Sequence, residues 1–350
     1  MITTSEADPS RFRSPVRWIA RNWRSGSVVA AGAWSAVAVV VGALWAGDVV
    51  PAPFGRNDPR AADVMSYFAG IEPWTAGLGA IVVGVAGLLT AAGMIMLRGR
   101  RWPAIPGLVL AAGLLLVVPD ARVIQNFAYL FFGYTGLWDA GLAAMIVSIA
   151  GGVLWAAASF GRLGAARPGS LGWRVPVTYL AAALALPYGI VRGAWGLGIP
   201  LGTSSLAWIE RDAAAFGIDP WVIRAGLLAV FAGLPVGGAL LTTGLVRPWG
   251  ERLPSWLPGL GGRRVPIWLA VVPGAGAAIM ILQFGLRTTP GTIAAVATMT
   301  PENWGATAPG LFILPWGIAL ALAVYGYAAR RLGHAIELER RPETGRLTSR

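Results

Sequence analysis

The sequence predicts an all-α membrane protein: eight transmembrane helices, built as two parallel tandem four-helix repeats. Three observations carry that prediction. The chain of 350 residues is 56% hydrophobic and only 13% charged, where a soluble domain carries about a quarter charged residues. Apolar runs near the roughly 20 residues that cross a bilayer recur eight times, at 27–48, 74–97, 103–119, 139–160, 175–198, 221–246, 265–286 and 308–330. Several short motifs of the first half return in the second half in the same order.

The clearest motif is Gly70-Ile71-Glu72-Pro73-Trp74, which returns 147 residues later as Gly217-Ile218-Asp219-Pro220-Trp221. Trp23-Arg24 matches Trp173-Arg174 at an offset of 150, and so does Trp45 with Trp195. Gly99-Arg100-Arg101 matches Gly262-Arg263-Arg264 at 163, and Arg162-Leu163-Gly164 matches Arg331-Leu332-Gly333 at 169. The offset only grows, as expected of a duplicated unit whose second copy gained loop insertions. The organisation this predicts is a cytoplasmic tail with a basic amphipathic helix over 1–26, repeats over 27–164 and 165–333, and a polar cytoplasmic tail over 334–350. An even number of spans per repeat keeps the two copies parallel.

Along the chain, Phe12, Val16, Ile19 and Trp23 fall at helical spacing, with arginines mostly off that stripe, which predicts an amphipathic helix on the membrane surface. Residues 120–138 start too polar to span and are rich in aromatics (Phe127, Tyr129, Phe131, Phe132, Tyr134, Trp138), so they read as an interfacial or re-entrant cap. Residues 287–307 read as the matching loop of the second repeat, ending in Pro301-Glu302-Asn303-Trp304. Residues 249–260 carry Trp249, Leu253, Trp256, Leu257 and Leu260, but Pro254 and Pro258 predict an interfacial loop rather than a helix. Small residues, Ala76, Ala80 and Gly84 in the second span and Gly226, Ala229, Gly233 and Gly237 in the sixth, predict faces of close helix packing. Pro187, Pro235, Pro273 and Pro315 predict breaks in their spans.

Charge sets the orientation. All 28 basic residues are arginine, and 21 of them lie in the N-terminal segment, the 98–101, 162–174 and 247–264 loops and the C-terminal tail. By the positive-inside rule both termini are cytoplasmic. The alanine-, glycine- and arginine-rich composition is that of a bacterial coding sequence, so the expected location is the bacterial cytoplasmic membrane. The net charge of +12 comes from loops between apolar spans, which argues against a nucleic-acid partner.

Missing residue types exclude much chemistry. With no cysteine, no lysine and one histidine, His334 in the tail, there is no thiolate or histidine metal site, no Schiff base and no Ser-His-Asp triad. No phosphate loop is present. No cofactor and no metal are expected.

Ten of the sixteen carboxylates fall on the outer side: Asp48, Asp58, Asp63, Glu72, Asp120, Asp139, Glu210, Asp212, Asp219 and Glu302. Asp219 before Pro220, Glu72 before Pro73 and Asp139 at the start of the fourth span read as helix caps. Plain solvation accounts for Asp58, Asp63 and Asp212. Asp120, Asp139 and Glu210 are the candidates for general acid or base chemistry. Arg192 is the sharper signal, inside the fifth span about six residues, or ~9 Å, from its outer end. Tyr188 and Trp195 share its face at i−4 and i+3. A charge at that depth pairs, snorkels or lines a cavity. The pairing alternatives are Asp139 and Glu210; the functional one is binding of an anion or carbonyl by Arg192, Tyr188 and Trp195. Arg224 reads as a snorkelling residue. Most of the 17 tryptophans sit at span ends as interfacial anchors, whereas Trp195, Trp316, Tyr188 and Tyr325 are placed to face an interior.

Three functions fit this pattern. The first is binding or transport of a small amphiphilic or lipophilic molecule through an outward-facing cavity between the repeats. The second is a membrane-embedded enzyme using outer carboxylates on a lipophilic substrate. The third is a non-catalytic subunit with a protein partner. Membrane lipid surrounds the protein in every case.

Overall fold

The computed structural model describes residues 15–130, 135–163, 172–253, 255–256, 258–259 and 261–340, the first ten and last eight of these as backbone. Phe131, Phe132, Tyr134, Leu257, Leu260, both chain ends and the 164–171 connection lie outside the described residues. Among those described there is no strand, only one isolated bridge between Arg252 and Arg264. The chain divides into two compact units, residues 1–164 and 165–350.

The first unit begins with α1 (Pro15–Ala46), whose spanning part is Ser25–Ala46. The basic stretch is continuous with the span, since its one glycine, Gly26, is too weak a breaker to end a helix. It is therefore not set off as a separate surface helix. Next come α2 (Pro73–Met96) and α3 (Ala104–Ala112), the latter widening into a π-helical turn over Gly113–Val117. Pro119 follows; it has no N–H to give Leu115 and its ring crowds that carbonyl, which the wider turn relieves. The chain bends by 65° into α4 (Ala121–Leu130) before α5 (Ala140–Leu163).

The second unit comprises α6 (Arg174–Gly196) and the short α7 (Ala207–Phe216), which ends on left-handed Gly217 (φ 65°). A 24-residue span follows from Pro220 to Thr243, made of α8 (Pro220–Gly226), a π-helical stretch over Leu227–Gly233 and α9 (Leu234–Thr243). Pro235 crowds the carbonyl of Phe231 and explains the widening there. The unit closes with α10 (Ile267–Val296), α11 (Trp304–Thr307) and α12 (Ile313–Arg340).

Among the described residues, seven helices are long and apolar enough to cross a membrane, or eight when the bent α3–α4 pair is taken as one span. Two sequence expectations need correction. The seventh span does not stop at 286: α10 runs to Val296, because Thr288 and Thr292 turn their hydroxyls back onto the carbonyls of Phe284 and Thr288 at 2.9 Å and so keep a polar stretch helical. Proline does not break the spans either. Pro187 lies inside an unbroken α6 and Pro273 and Pro290 inside an unbroken α10.

In the first unit α1 packs on α2 and α5, and α3 packs on α5; in the second α6 packs on α9 and α12, and α10 packs on α12. The cores are made of small side chains. Ala31, Ala91, Ala104, Ala111 and Ala158 surround fully buried Trp155 in the first, and Ala181, Ala278, Ala319 and Ala323 surround Tyr327 in the second. Large aliphatics such as Val82, Leu89, Val109, Leu240 and Leu241 face outward. No more than 39% of any spanning stretch is buried within the protein, which leaves a large apolar surface of the kind a bilayer accommodates.

The glycine faces divide. A Cβ at Gly42 would lie 2.7 Å from the carbonyl oxygen of Gly77, and one at Gly84 would lie 2.6 Å from that of Ser35, so α1 and α2 meet backbone to backbone. The face of Gly226, Ala229, Gly233 and Gly237 has no such neighbour: Gly226 and Gly237 have open space beside them, and Ala229, Gly233 and Gly237 are exposed. That packing expectation fails because α6 meets this span from another side, through Gly189, Gly193 and Gly196 against Leu228, Ala232 and Val236.

Candidate functional site

Arg192 sits in α6 between two aromatic faces. Its guanidinium carbon lies 4.2 Å from the ring centre of Trp195 and 5.1 Å from that of Tyr188. The spacing i−4, i, i+3 on one helix makes this sandwich possible without any tertiary contact. Neighbouring elements then fix the aromatics. Trp195 is buried, donates Nε1–H to the Leu201 carbonyl at 2.9 Å and meets Trp208 of α7 edge-on at 6.0 Å. Tyr188 meets Phe231, in the π-helical stretch, at 6.5 Å. Around Trp195 pack Val191, Ile209 and Leu227, with Trp304 against the same cluster. Cross-links between the loops, Ser204 N–H to Glu302 O at 3.0 Å and Gly305 N–H to Gly202 O at 2.8 Å, hold this end of the unit together.

Both acids that sequence offered as partners for Arg192 are engaged elsewhere. Glu210 is exposed and pairs with Arg224 at 3.2 Å, so Arg224 is held by an ion pair and not by snorkelling alone. Asp139 belongs to the first unit. Arg192 is half-buried and has no carboxylate within 4 Å among the described residues. Its guanidinium edges, five N–H donors in a plane, carry no bonded partner there, and the ring faces supply only the cation–π attraction.

The outer acids of the first unit form a different arrangement. Arg122, 1% exposed, donates Nε–H to Asp120 Oδ1 at 3.1 Å and Nη2–H to Asp120 Oδ2 at 2.7 Å, and also reaches Asp58 Oδ2 at 2.5 Å. Asp139 Oδ2 lies 3.5 Å from Arg122 Nη1 and accepts from Arg60 at 2.9 Å. Arg60 also donates to Gln125 Oε1 at 2.8 Å and to the Leu137 carbonyl at 3.0 Å. Three carboxylates and two guanidiniums thus fasten the 58–60 turn, α4 and the start of α5 to one another. Asp58 is therefore not a solvated surface acid, its side chain being 4% exposed; Asp63 and Asp212 are exposed.

Caps explain several acids. Asp139 Oδ1 accepts the Leu142 N–H at 2.7 Å and Asp219 Oδ1 that of Trp221 at 3.1 Å. Glu72 makes no cap bond and pairs with Arg56 at 2.7 Å. Of the acid–base candidates, Asp120 has both oxygens bonded to Arg122, and Asp139 is divided between a cap and two arginines. Glu210 stands exposed on α7, away from any second carboxylate–arginine group. Among the described residues no group of three or more metal-ligating side chains could hold a metal ion. Trp316 packs inward as expected, whereas Tyr325 faces out.

Sequence reading missed Arg122 and Arg60 as the centre of this network. The signal was present: Asp58-Pro59-Arg60 and Asp120-Ala121-Arg122 share the spacing Asp-x-Arg, and in each the aspartate accepts the arginine N–H, at 3.1 Å and 2.9 Å.

Compared with known proteins, the chain matches no family model, no curated protein and no solved structure.

Proposed function

We propose that this multi-pass membrane protein binds a small amphiphilic molecule at Arg192, an anionic or carbonyl oxygen meeting the guanidinium and an apolar part lying against Tyr188, Trp195 and Phe231. The observation that carries the reading is a guanidinium inside a spanning helix, stacked on two rings and left without a carboxylate. Such a charge is expensive in a bilayer unless it is compensated; snorkelling to the interface is one way of meeting that cost, and the two stacked rings with no carboxylate beside them favour a ligand as the other. Asp120 and Asp139, the first unit's candidates for general acid or base, hold arginines, which favours the binding reading over the enzymatic one.

The two units are read as tandem repeats on which one copy has specialised. Gly70 and Gly217 both have positive φ (76° and 65°), each ahead of a helix with proline in its first turn and 24 residues in its span. The neighbour order of the helices is the same in both. At the offset that pairs Trp45 with Trp195, Gly42 corresponds to Arg192. In the first unit that seam is closed by backbone contact at Gly42; in the second a π-helical stretch widens the facing span and the seam carries Arg192. The arginine-rich ends are placed on the cytoplasmic side, and the Arg192 end on the other.

Native mass spectrometry of the protein in nanodiscs tests this. Wild type retains a small-molecule adduct that Arg192→Ala loses while Arg192→Lys keeps part of it. Equal spectra for wild type and Arg192→Ala overturn the reading. Uptake of the identified ligand into proteoliposomes then separates transport from binding alone. A second reading, a subunit of a membrane complex, is favoured by the uncovered glycine face of the Pro220–Thr243 span; a co-purifying protein in the same spectra would support it.

A further inference from the structure

We infer that the arginine-rich end of the second unit holds a phosphate-binding site for an anionic lipid headgroup, built from Arg174 and Arg330. Here α6 crosses α12 at Gly326, where an added Cβ would lie 3.1 Å from the Arg174 Cβ and 3.5 Å from the Trp173 ring. Arg330 follows Gly326 by one helical turn, so it lies along the face that meets Arg174. Arg331 is turned to other partners, donating to the Tyr327 hydroxyl and to the Val265 carbonyl, each at 3.0 Å, while Tyr327 donates to the Gly250 carbonyl at 3.0 Å. Those bonds tie the 250–265 segment to α12 and bring Glu251 against Arg330.

The charges do not balance. Among the described residues, three guanidiniums, none of which loses its charge in a protein, share one carboxylate. Glu251 serves Arg330, whose side chain is only 18% exposed. Arg174 is half-buried, within electrostatic range of both Arg330 and Glu251, and has no hydrogen-bond or ion-pair partner among the described residues. A half-buried guanidinium beside a second one, with no anion of its own, calls for one. Position along the bilayer names its class. Arg174 is the first residue of one spanning helix and Leu332 the last of another, which puts the cluster at headgroup level beside Trp173. Basic sites between helices at that depth take lipid phosphates, and planar guanidiniums match a phosphate's oxygens two at a time. The site lies at the opposite end of α6 from Arg192 and stands independently of the function proposed there.

The test is lipid retention by the intact protein in phosphatidylcholine nanodiscs doped with phosphatidylglycerol, followed by mild delipidation and native mass spectrometry. Wild type should keep phosphatidylglycerol in preference to phosphatidylcholine. Arg174→Gln should lose about fivefold of that preference, the effect of one arginine at a membrane surface. Arg174→Lys should keep most of it, and Arg101→Gln, a charge removed from the first unit, should match wild type. Equal retention by wild type and Arg174→Gln overturns the inference, as does an equal loss in Arg101→Gln. A second arm adds inorganic phosphate in detergent: stabilisation that needs Arg174, without retained lipid, assigns the phosphate site to a soluble ligand. Absence of both responses rejects the site.

Discussion

Arg122 reaches Asp58, 64 residues away in the chain, with a hydrogen bond of 2.5 Å, and neither side chain is more than 4% exposed. The contact joins a loop before the second span to the helix after the third, so it fixes how the outer end of the first unit closes. Removing one member of a buried pair leaves an uncompensated charge and costs about 3–5 kcal/mol. Arg122→Gln is expected to lower the thermal midpoint in detergent by many degrees. Glu72→Gln breaks an exposed pair with Arg56 and should cost no more than about 1 kcal/mol. Equal midpoints for the two variants would mean that the buried network is not what holds the cap.

A second prediction concerns the seam of α1 and α2. Gly42 has no room for a methyl group, while Gly79 on the same pair of helices has nothing within 4 Å of an added Cβ. Gly42→Ala should destabilise by about 1–3 kcal/mol through overpacking; Gly79→Ala should be neutral or slightly stabilising, as alanine favours the helix. Unfolding of both variants in the same detergent checks this, and a neutral Gly42→Ala would place α2 further from α1 than the structure has it.

Inside the same unit, Trp155 is fully buried and donates Nε1–H to the Ser35 hydroxyl at 3.2 Å, which itself donates to the Ala31 carbonyl at 2.9 Å. Ser35→Ala keeps the packing but orphans the indole N–H, at a cost of about 1–3 kcal/mol. Trp155→Phe with Ser35→Ala should cost less than the sum of the two single variants, because both polar groups then go together. A double variant no better than the sum of the singles would count against the bond.

The spans were legible because a bilayer demands length and apolarity and little else; Pro73 and Pro220 even marked two helix starts to within a residue. What sequence could not give was which face of each span meets which neighbour. Gly84 and Gly237 look alike in the chain, yet one touches a backbone and the other nothing, since the choice depends on the crossing of a second helix. The polar residues misled for a related reason. Residues 287–296 read as loop, whereas the Thr288 and Thr292 hydroxyls are satisfied by carbonyls of their own helix. Arg192 was found because its depth alone is costly; Arg122 was overlooked because its partner Asp58 comes from a distant loop.

Orientation has a direct check, since the chain contains no cysteine and single-cysteine labelling has no background. Ser204 lies exposed at the Arg192 end of the second unit and Ser255 exposed at its arginine-rich end. An impermeant maleimide should label Ser204→Cys in intact cells and Ser255→Cys only after permeabilisation. The reverse pattern would invert the protein and put the Arg192 site on the cytoplasmic side.

Arg192 also allows stability and function to be set against each other. Its interactions among the described residues are two cation–π contacts, each worth about 0.5–2 kcal/mol, while an arginine within a spanning helix costs about 2.5–3.5 kcal/mol near the bilayer centre and less toward the interface. With no carboxylate to offset it, the residue is close to neutral or a net burden on the unliganded fold. Arg192→Met, which keeps the length and the packing against Tyr188 and Trp195, should therefore leave stability unchanged or raise it by up to about 1 kcal/mol, with the midpoint level or higher, while abolishing the adduct of the proposed ligand. Arg192 held in place for structure gives the opposite result: the midpoint falls by several degrees and the adduct, if any, is kept. Thermal unfolding and native mass spectra from one preparation of each protein read both quantities together.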